Sequence, residues 1–350
     1  MTTISFDSGI RYPDRDTLGL MLWVPIILFL IVSFAAFCWC GFKHADIRWD
    51  WRGPAYGCLL SAYLIAKGLR IHSVQVIINA LCQNAVIAVS AMMLTYASAT
   101  VGRPLIDGQL LSADQFIGYD WRTYANFLAN RDTIARIITA SYLFIFVLPI
   151  VVIVSLAVTK NIQALEKFVL AGLISLIITA ALFALFPATT AWTHLGLSDT
   201  EVSSFRYLTL SSDNWINELI QIREGRARNL RDLQGMGLTA FPSFHCTAAL
   251  LFIWASWELR WIRLPMVLAN LLMLAATPIT GGHYVVDLIA GALVMAAGVI
   301  VAEWLHAWML SFGCAAFFQR RAGSSFPTNR ATEDQSRPAA AQFFETRHGS

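Results

Sequence analysis

The sequence predicts an all-α, polytopic membrane bundle of about seven or eight transmembrane helices. Two observations carry that expectation. Of 350 residues, 57% are hydrophobic and only 13% charged, against about 45–50% and about 25% in soluble domains. The excess is concentrated in runs of the roughly 20 residues that a helix needs to cross a bilayer. The charges lie between those runs, where chains meet lipid headgroups.

Taken in order, residues 18–42 form the first span. The N-terminal segment mixes Asp and Arg and is followed by no small-residue cleavage site, so the span reads as retained. Residues 55–66 are a short apolar run cut by Lys67 and Arg70, either a short span or an interfacial segment. Residues 74–101 span. The polar connection 102–133 reads as partly helical and interfacial, with Phe116, Tyr119, Trp121 and Tyr124 as aromatic anchors. Spans at 134–158 and 168–185 follow, and Pro187 stops the second. Residues 188–239 are the longest polar connection, and loops of that length tend to be functional. Three closely spaced spans complete the bundle, at 243–259, 264–280 and 285–310. Three regions result: 1–133, an N-terminal transmembrane region with its interfacial connection; 134–318, a catalytic core; and 319–350, a polar tail of biased composition expected to be disordered.

The net charge of +3 singles out no partner, and no basic block interleaves with aromatics, so nucleic acid is not expected. The six cysteines lie in or beside apolar runs without a CxxC pair, which argues against a disulfide framework or a zinc site.

Two strings carry the chemistry. One is Phe241-Pro242-Ser243-Phe244-His245; the other is Gly281-Gly282-His283-Tyr284-Val285-Val286-Asp287. Each sets ionisable or hydroxylic groups at the edge of an apolar run, where polar groups are costly and therefore functional candidates. Two crossings separate them, so both histidines and the aspartate fall on one side of the membrane. Asp287 follows His283 by four residues, one turn apart on a helix. A carboxylate there fixes the imidazole tautomer and stabilises its cation. One histidine can then attack phosphorus and the other protonate a leaving oxygen. Ser243 and free backbone N–H groups at a helix start favour a phosphate. Each string alone fits a buried hydrogen-bonded group equally well; it is their joint placement that points to a site.

These strings resemble the second and third signature motifs of the type 2 phosphatidic acid phosphatase superfamily. FPSFH followed by GGHYVVDLIAG looks most like the branch of inositol phosphorylceramide synthases and their bacterial relatives. The resemblance covers residues 185–310 well and the first half loosely. It implies His283 as nucleophile, Asp287 as its orienter, His245 as the acid, and Ser243 with nearby backbone as phosphate holder. The hydrolase branch carries Lys-x6-Arg-Pro upstream and Ser-Arg before the third-motif histidine. This chain has no such Lys-x6-Arg-Pro, and Ala276-Thr277 stands where the Ser-Arg would be. The arginine string that includes Arg223 and Arg231 is the candidate replacement for the missing cations; a solvated helix face is the plainer reading of it.

The expected activity is that of a lipid phosphotransferase or phosphatase, with a lipid in the bilayer as partner and neither metal nor cofactor required. Water as acceptor gives a phosphatase, a lipid hydroxyl a synthase. A rival of another class is a transporter with a His/Asp proton relay, which calls for further acids buried within the spans. Glu303 is the one found in the late spans, and its spacing pairs it with His306. Short basic connections opposite the site, with Lys160, Lys167, Arg260 and Arg263, set that side in the cytoplasm and the site toward the periplasm of a bacterial inner membrane.

Overall fold

A computed structural model describes residues 19, 21–43, 64–65, 67–69, 71–197, 199–205, 212–229 and 238–323. All its named elements are helices: α1 (Trp23–Trp39), α2 (His72–Ala99), α3 (Asp107–Phe116), α4 (Trp121–Ala129), α5 (Asp132–Ser141), α6 (Phe144–Val158), α7 (Ile162–Leu185), α8 (Ala191–His194), α9 (Asp199–Phe205), α10 (Ser212–Arg223), α11 (Phe244–Ser256), α12 (Arg260–Thr280) and α13 (Val285–Gly323). Four are long and apolar enough to cross a membrane: α2, α7, α12 and α13. The bent pair α5–α6 makes a fifth, and α1 and α11 are shorter apolar helices. The chain is an integral membrane protein built as an all-α bundle. Among the described residues, α1 and α11, of 17 and 13 residues, stand at two of the expected spans as shorter apolar helices. Most of the run 55–66 lies outside the described residues.

α1 and α2 run parallel. Trp23 Nε1 donates to Asn79 Oδ1 at 2.9 Å, while Phe42 packs on Tyr96 at the other end. Lys43 and Ile71 therefore lie at opposite ends of the α1–α2 pair.

The expected span 134–158 is broken. α5 and α6 meet at 55°, and the hydrogen bonds at the break close three residues back: Tyr142 N to Thr139 O and Leu143 N to Ala140 O. That tightening interrupts the α-helical ladder. Pro149 in α6 also has no N–H to give Ile145.

α7 and α13 pack antiparallel along a seam of small residues. A Cβ on Gly298 would overlap Ser175 Oγ and crowd the Ala171 carbonyl. At the end of this seam remote from the histidine strings, His306 Nε2 meets Glu166 Oε2 at 3.0 Å, both buried, and Lys167 Nζ meets Glu303 Oε2 at 2.6 Å. The pairing of His306 with Glu303 expected from spacing is thus replaced by two cross-helix pairs. α7 begins at Ile162, earlier than residue 168, which brings the buried Glu166 into the helix, whereas Glu303 is partly exposed. Glu166 sits in the second turn and is already partnered, so it offers no mid-span relay.

Filling the seam tests the packing. Gly298→Val should destabilise the protein by about 1–3 kcal/mol, the usual cost of overpacking, read as a lower thermal midpoint in detergent. An unchanged midpoint would mean that α7 and α13 do not touch at Gly298.

Candidate active site

Ser243 is the N-cap of α11, extended, with its hydroxyl accepting from Cys246 N at 3.4 Å. Its own amide donates to the Asp287 carbonyl at 3.1 Å, and Thr247 Oγ1 donates to the Gly291 carbonyl at 2.9 Å. α11 and α13 therefore start side by side and run parallel, with both N-termini at one place.

His283 does not lie on the helix. It precedes α13, and Asp287 reaches back from the helix's first turn. One oxygen, Asp287 Oδ2, takes the Tyr284 amide at 2.9 Å and faces His283 Nδ1 at 3.3 Å. The carboxylate of a third helical residue accepting from the N-cap amide is half of a capping box. This corrects the expectation of two residues on one helical face, while the pairing itself is present. With Nδ1–H directed at the carboxylate, the lone pair of His283 falls on Nε2.

His245 faces His283 with ring centroids 6.2 Å apart and planes at 60°. Its Nε2 is buried with no hydrogen-bond partner among the described residues, and the same holds for Asp287 Oδ1. Buried polar atoms are rarely left this way. Tyr142 stacks on the His245 ring at 3.9 Å and 16°.

The acids of α3 hold the loop that carries His283, and no motif in the sequence announces them. Asp114 Oδ2 accepts from Val285 N and its Oδ1 from Val286 N, each at 2.9 Å. It caps α13 from another helix and complements the helix dipole. Burial pushes this carboxyl above the usual carboxylate range, and the two amide bonds pull it back. Asp107 accepts from Thr189 N and Thr189 Oγ1 at 2.9 Å each and from Tyr284 Oη at 3.1 Å. Burial, and then Asp107, raise the Tyr284 phenol far above its ordinary value, so it stays a donor. Asp107, Leu110 and Asp114 are the buried residues of α3. Their spacing is a helical stripe, with acids where apolar residues are expected.

The remaining neighbours are aromatic. Trp121 Nε1 donates to the Pro278 carbonyl and Tyr124 Oη to the Ala275 carbonyl, both at 2.9 Å. These two are packed against the end of α12, whereas Phe116, 92% exposed, keeps the surface position expected of an interfacial anchor. Gly282 has φ +69°, and a Cβ there would overlap the Trp192 ring. Its carbonyl accepts from Ala191 N at 2.8 Å. Only glycine meets both the backbone and the space requirement.

The structure thus brings His245, His283, Asp287 and Ser243 together. Arg223 ends α10 and donates to the Arg103 carbonyl at 2.6 Å. Its neighbours Arg226 and Arg228 are held by Glu224 and by the Ile222 and Ala227 carbonyls. Arg231 lies outside the described residues. Ala276 and Thr277 are fully buried, and Thr277 Oγ1 donates to the Met273 carbonyl. Among the described residues, helix ends supply positive potential at the histidines. The α13 amides are taken by Asp114 and Asp287. Phe244 and His245 in the first turn of α11 have amides without intrahelical acceptors, which suits a phosphoryl oxygen.

Such a pair can transfer a group at phosphorus: one imidazole with a free Nε2 backed by a carboxylate, a second opposed to it, and a helix start beside them. No group of three or more His, Cys, Asp or Glu side chains among the described residues is arranged to hold a metal ion.

A sequence profile of the PAP2 superfamily matches residues 108–301, more than half of the chain. No curated protein and no solved structure matches it.

Removing the remote cap tests how α3 serves the site. Asp114→Ala leaves two helix-start amides without their acceptor, and should cost about 1–3 kcal/mol in thermal stability together with a fall in turnover. Asp114→Asn should recover part of both, since its amide oxygen still accepts one bond. A wild-type melting midpoint in Asp114→Ala would remove the capping role.

Proposed function

The chain belongs to the PAP2 superfamily, and from that premise we propose that it is a lipid phosphotransferase working through a phosphohistidine, of the inositol phosphorylceramide synthase-like kind. The observation that carries the reading is the Asp287-backed His283 facing an unpartnered His245 nitrogen at the shared start of two helices.

The reaction proceeds in two displacements. His283 Nε2 forms a bond to phosphorus as the bond to the leaving oxygen breaks, and His245 delivers a proton to that oxygen. Asp287 stabilises the His283 cation that develops. An acceptor hydroxyl then gives its proton to His245 and attacks phosphorus, and the N–P bond breaks. Ser243 orients the first turn of α11, whose amides hold the phosphoryl oxygens. The residue roles follow the family's motifs at these positions.

A lipid hydroxyl as acceptor is supported by the surroundings. The place of the hydrolase-branch cation is filled by buried Ala276 and Thr277, and Tyr142, Trp121, Trp192 and Tyr284 wall the histidine end with rings. An apolar enclosure suits a lipid tail and disfavours water. A plain lipid phosphate phosphatase is the alternative outcome.

The deciding experiment incubates purified protein with mixed glycerophospholipids, with and without ceramide, and resolves the phosphorus-containing products. We expect a phosphosphingolipid product that depends on ceramide, and its loss in His283→Ala that remains folded in detergent. Release of inorganic phosphate irrespective of ceramide would assign a phosphatase. His283→Ala activity within about tenfold of wild type, a small part of what covalent catalysis supplies, would remove the nucleophile.

The site is proposed to face the periplasm, since the short connections opposite it carry the basic residues that mark cytoplasmic loops. In a cysteine-free background, Ser204→Cys should react with an impermeant maleimide in whole cells and Glu258→Cys should not. The reverse pattern would place the site in the cytoplasm.

A further inference from the structure

Tyr142 belongs to neither motif string and lies inside what reads as an unbroken apolar run. The structure sets it at the break between α5 and α6, where departure from the helical ladder turns its ring out of the α5–α6 line and onto His245. The rings are stacked face to face, 3.9 Å between centroids and 16° between planes. Stacking this close fixes the plane of an imidazole, and no hydrogen bond from the described residues does so at Nε2. The other edge of the tyrosine is also confined. A Cβ built on Gly281 would lie 2.6 Å from Tyr142 Oη and 2.8 Å from both Tyr142 Cε2 and His283 Cδ2. The absence of a side chain at Gly281 is what lets this ring lie between His245 and the backbone leading to His283.

His283 has a carboxylate to orient it. His245 has no such partner among the described residues, yet as an acid it must present one nitrogen to a leaving oxygen within hydrogen-bond reach. We propose that Tyr142 is the positioning residue for His245, holding the imidazole plane by ring stacking so that Nε2 points at the leaving group. This rests on the assignment of His245 as general acid. The stacking face, not the hydroxyl, carries the role, so phenylalanine should serve in place of tyrosine.

The test measures turnover of a lipid phosphodiester and of an aryl phosphodiester by Tyr142→Phe, Tyr142→Leu and Tyr142→Met. Methionine fills much of the same volume without a ring, so a ringless variant remains should leucine not fold. A misdirected acid forfeits part of the roughly 10²–10⁴-fold that general acid catalysis is worth. We therefore expect Leu and Met to lose about 10–100-fold in kcat on the lipid with KM unchanged. The aryl substrate, whose leaving group departs without a proton, should lose at most about threefold, and Tyr142→Phe at most about threefold on either. In a His245→Ala background, Tyr142→Leu or Tyr142→Met should cost nothing further. Equal losses on both substrates, a Phe variant as impaired as the ringless ones, or an additive loss beside His245→Ala would each overturn the positioning role. If His245→Ala itself loses equally on both substrates, His245 is not the acid, and the positioning role falls with that assignment. If His245→Ala is selective and the Tyr142 variants are not, the positioning role alone is refuted.

Discussion

A carboxylate buried beside apolar helices must have every lone pair accounted for, and Asp287 is where that constraint bears hardest. It has no exposed surface, so one oxygen is divided between the Tyr284 amide and His283 while the other stays without a partner among the described residues. The first oxygen locks the helix start to the histidine. On the proposed reading, an incoming phosphoryl group would meet an imidazole whose tautomer is already chosen. Were the capping amide absent, the carboxylate would be free to rotate, and the histidine with it. Asp287 thus ties the loop that carries His283 to the start of α13 at the Tyr284 amide.

Around that centre the bundle uses polar contacts as struts in a setting where they are costly to leave unmade. α3, a helix too short to cross, contributes Asp107 and Asp114. Each ties the histidine loop to a different neighbour: the stretch after α7 through Thr189, and the start of α13 through two amides. Trp121 and Tyr124 of α4 hold carbonyls at the end of α12 in the same way. The connection between α2 and α5 is thus the outer wall of the site and not a mere linker.

What the sequence discloses follows from how far each interaction reaches along the chain. Asp287 and His283 are four residues apart, Ser243 and His245 two, and counting the crossings between the strings puts them at one end of the membrane. All four are within reach of local reasoning. Asp107 and Asp114 act on partners more than 80 and 170 residues away, and nothing in their own helix says so beyond acids on a buried stripe. Tyr142 hides because an apolar run reads as continuous helix, and the break that turns its ring appears only with the hydrogen bonds around it. The assignment of His306 to Glu303 misled for the opposite reason: a local spacing was satisfied, but each group had a better partner on α7. All-helical architecture was plain from hydropathy. The lengths of α1 and α11 were not, because both are apolar yet short, and composition alone does not show where a helix stops.

The seam between α7 and α13 has a mechanical corollary. The His306–Glu166 and Lys167–Glu303 contacts fasten it at one end, the small residues mesh along its length, and the Ala191–Gly282 bond closes it at the other. Sliding one helix by a turn would separate Glu166 from His306, and a buried polar group left without its partner costs about 1–3 kcal/mol. The two helices therefore keep one register and move as a single body. Asp287, near the start of α13, inherits that stiffness. The carboxylate behind the histidine is thus anchored by contacts at the far end of the two helices, and displacement of the histidine end along the helix axis is opposed from a distance.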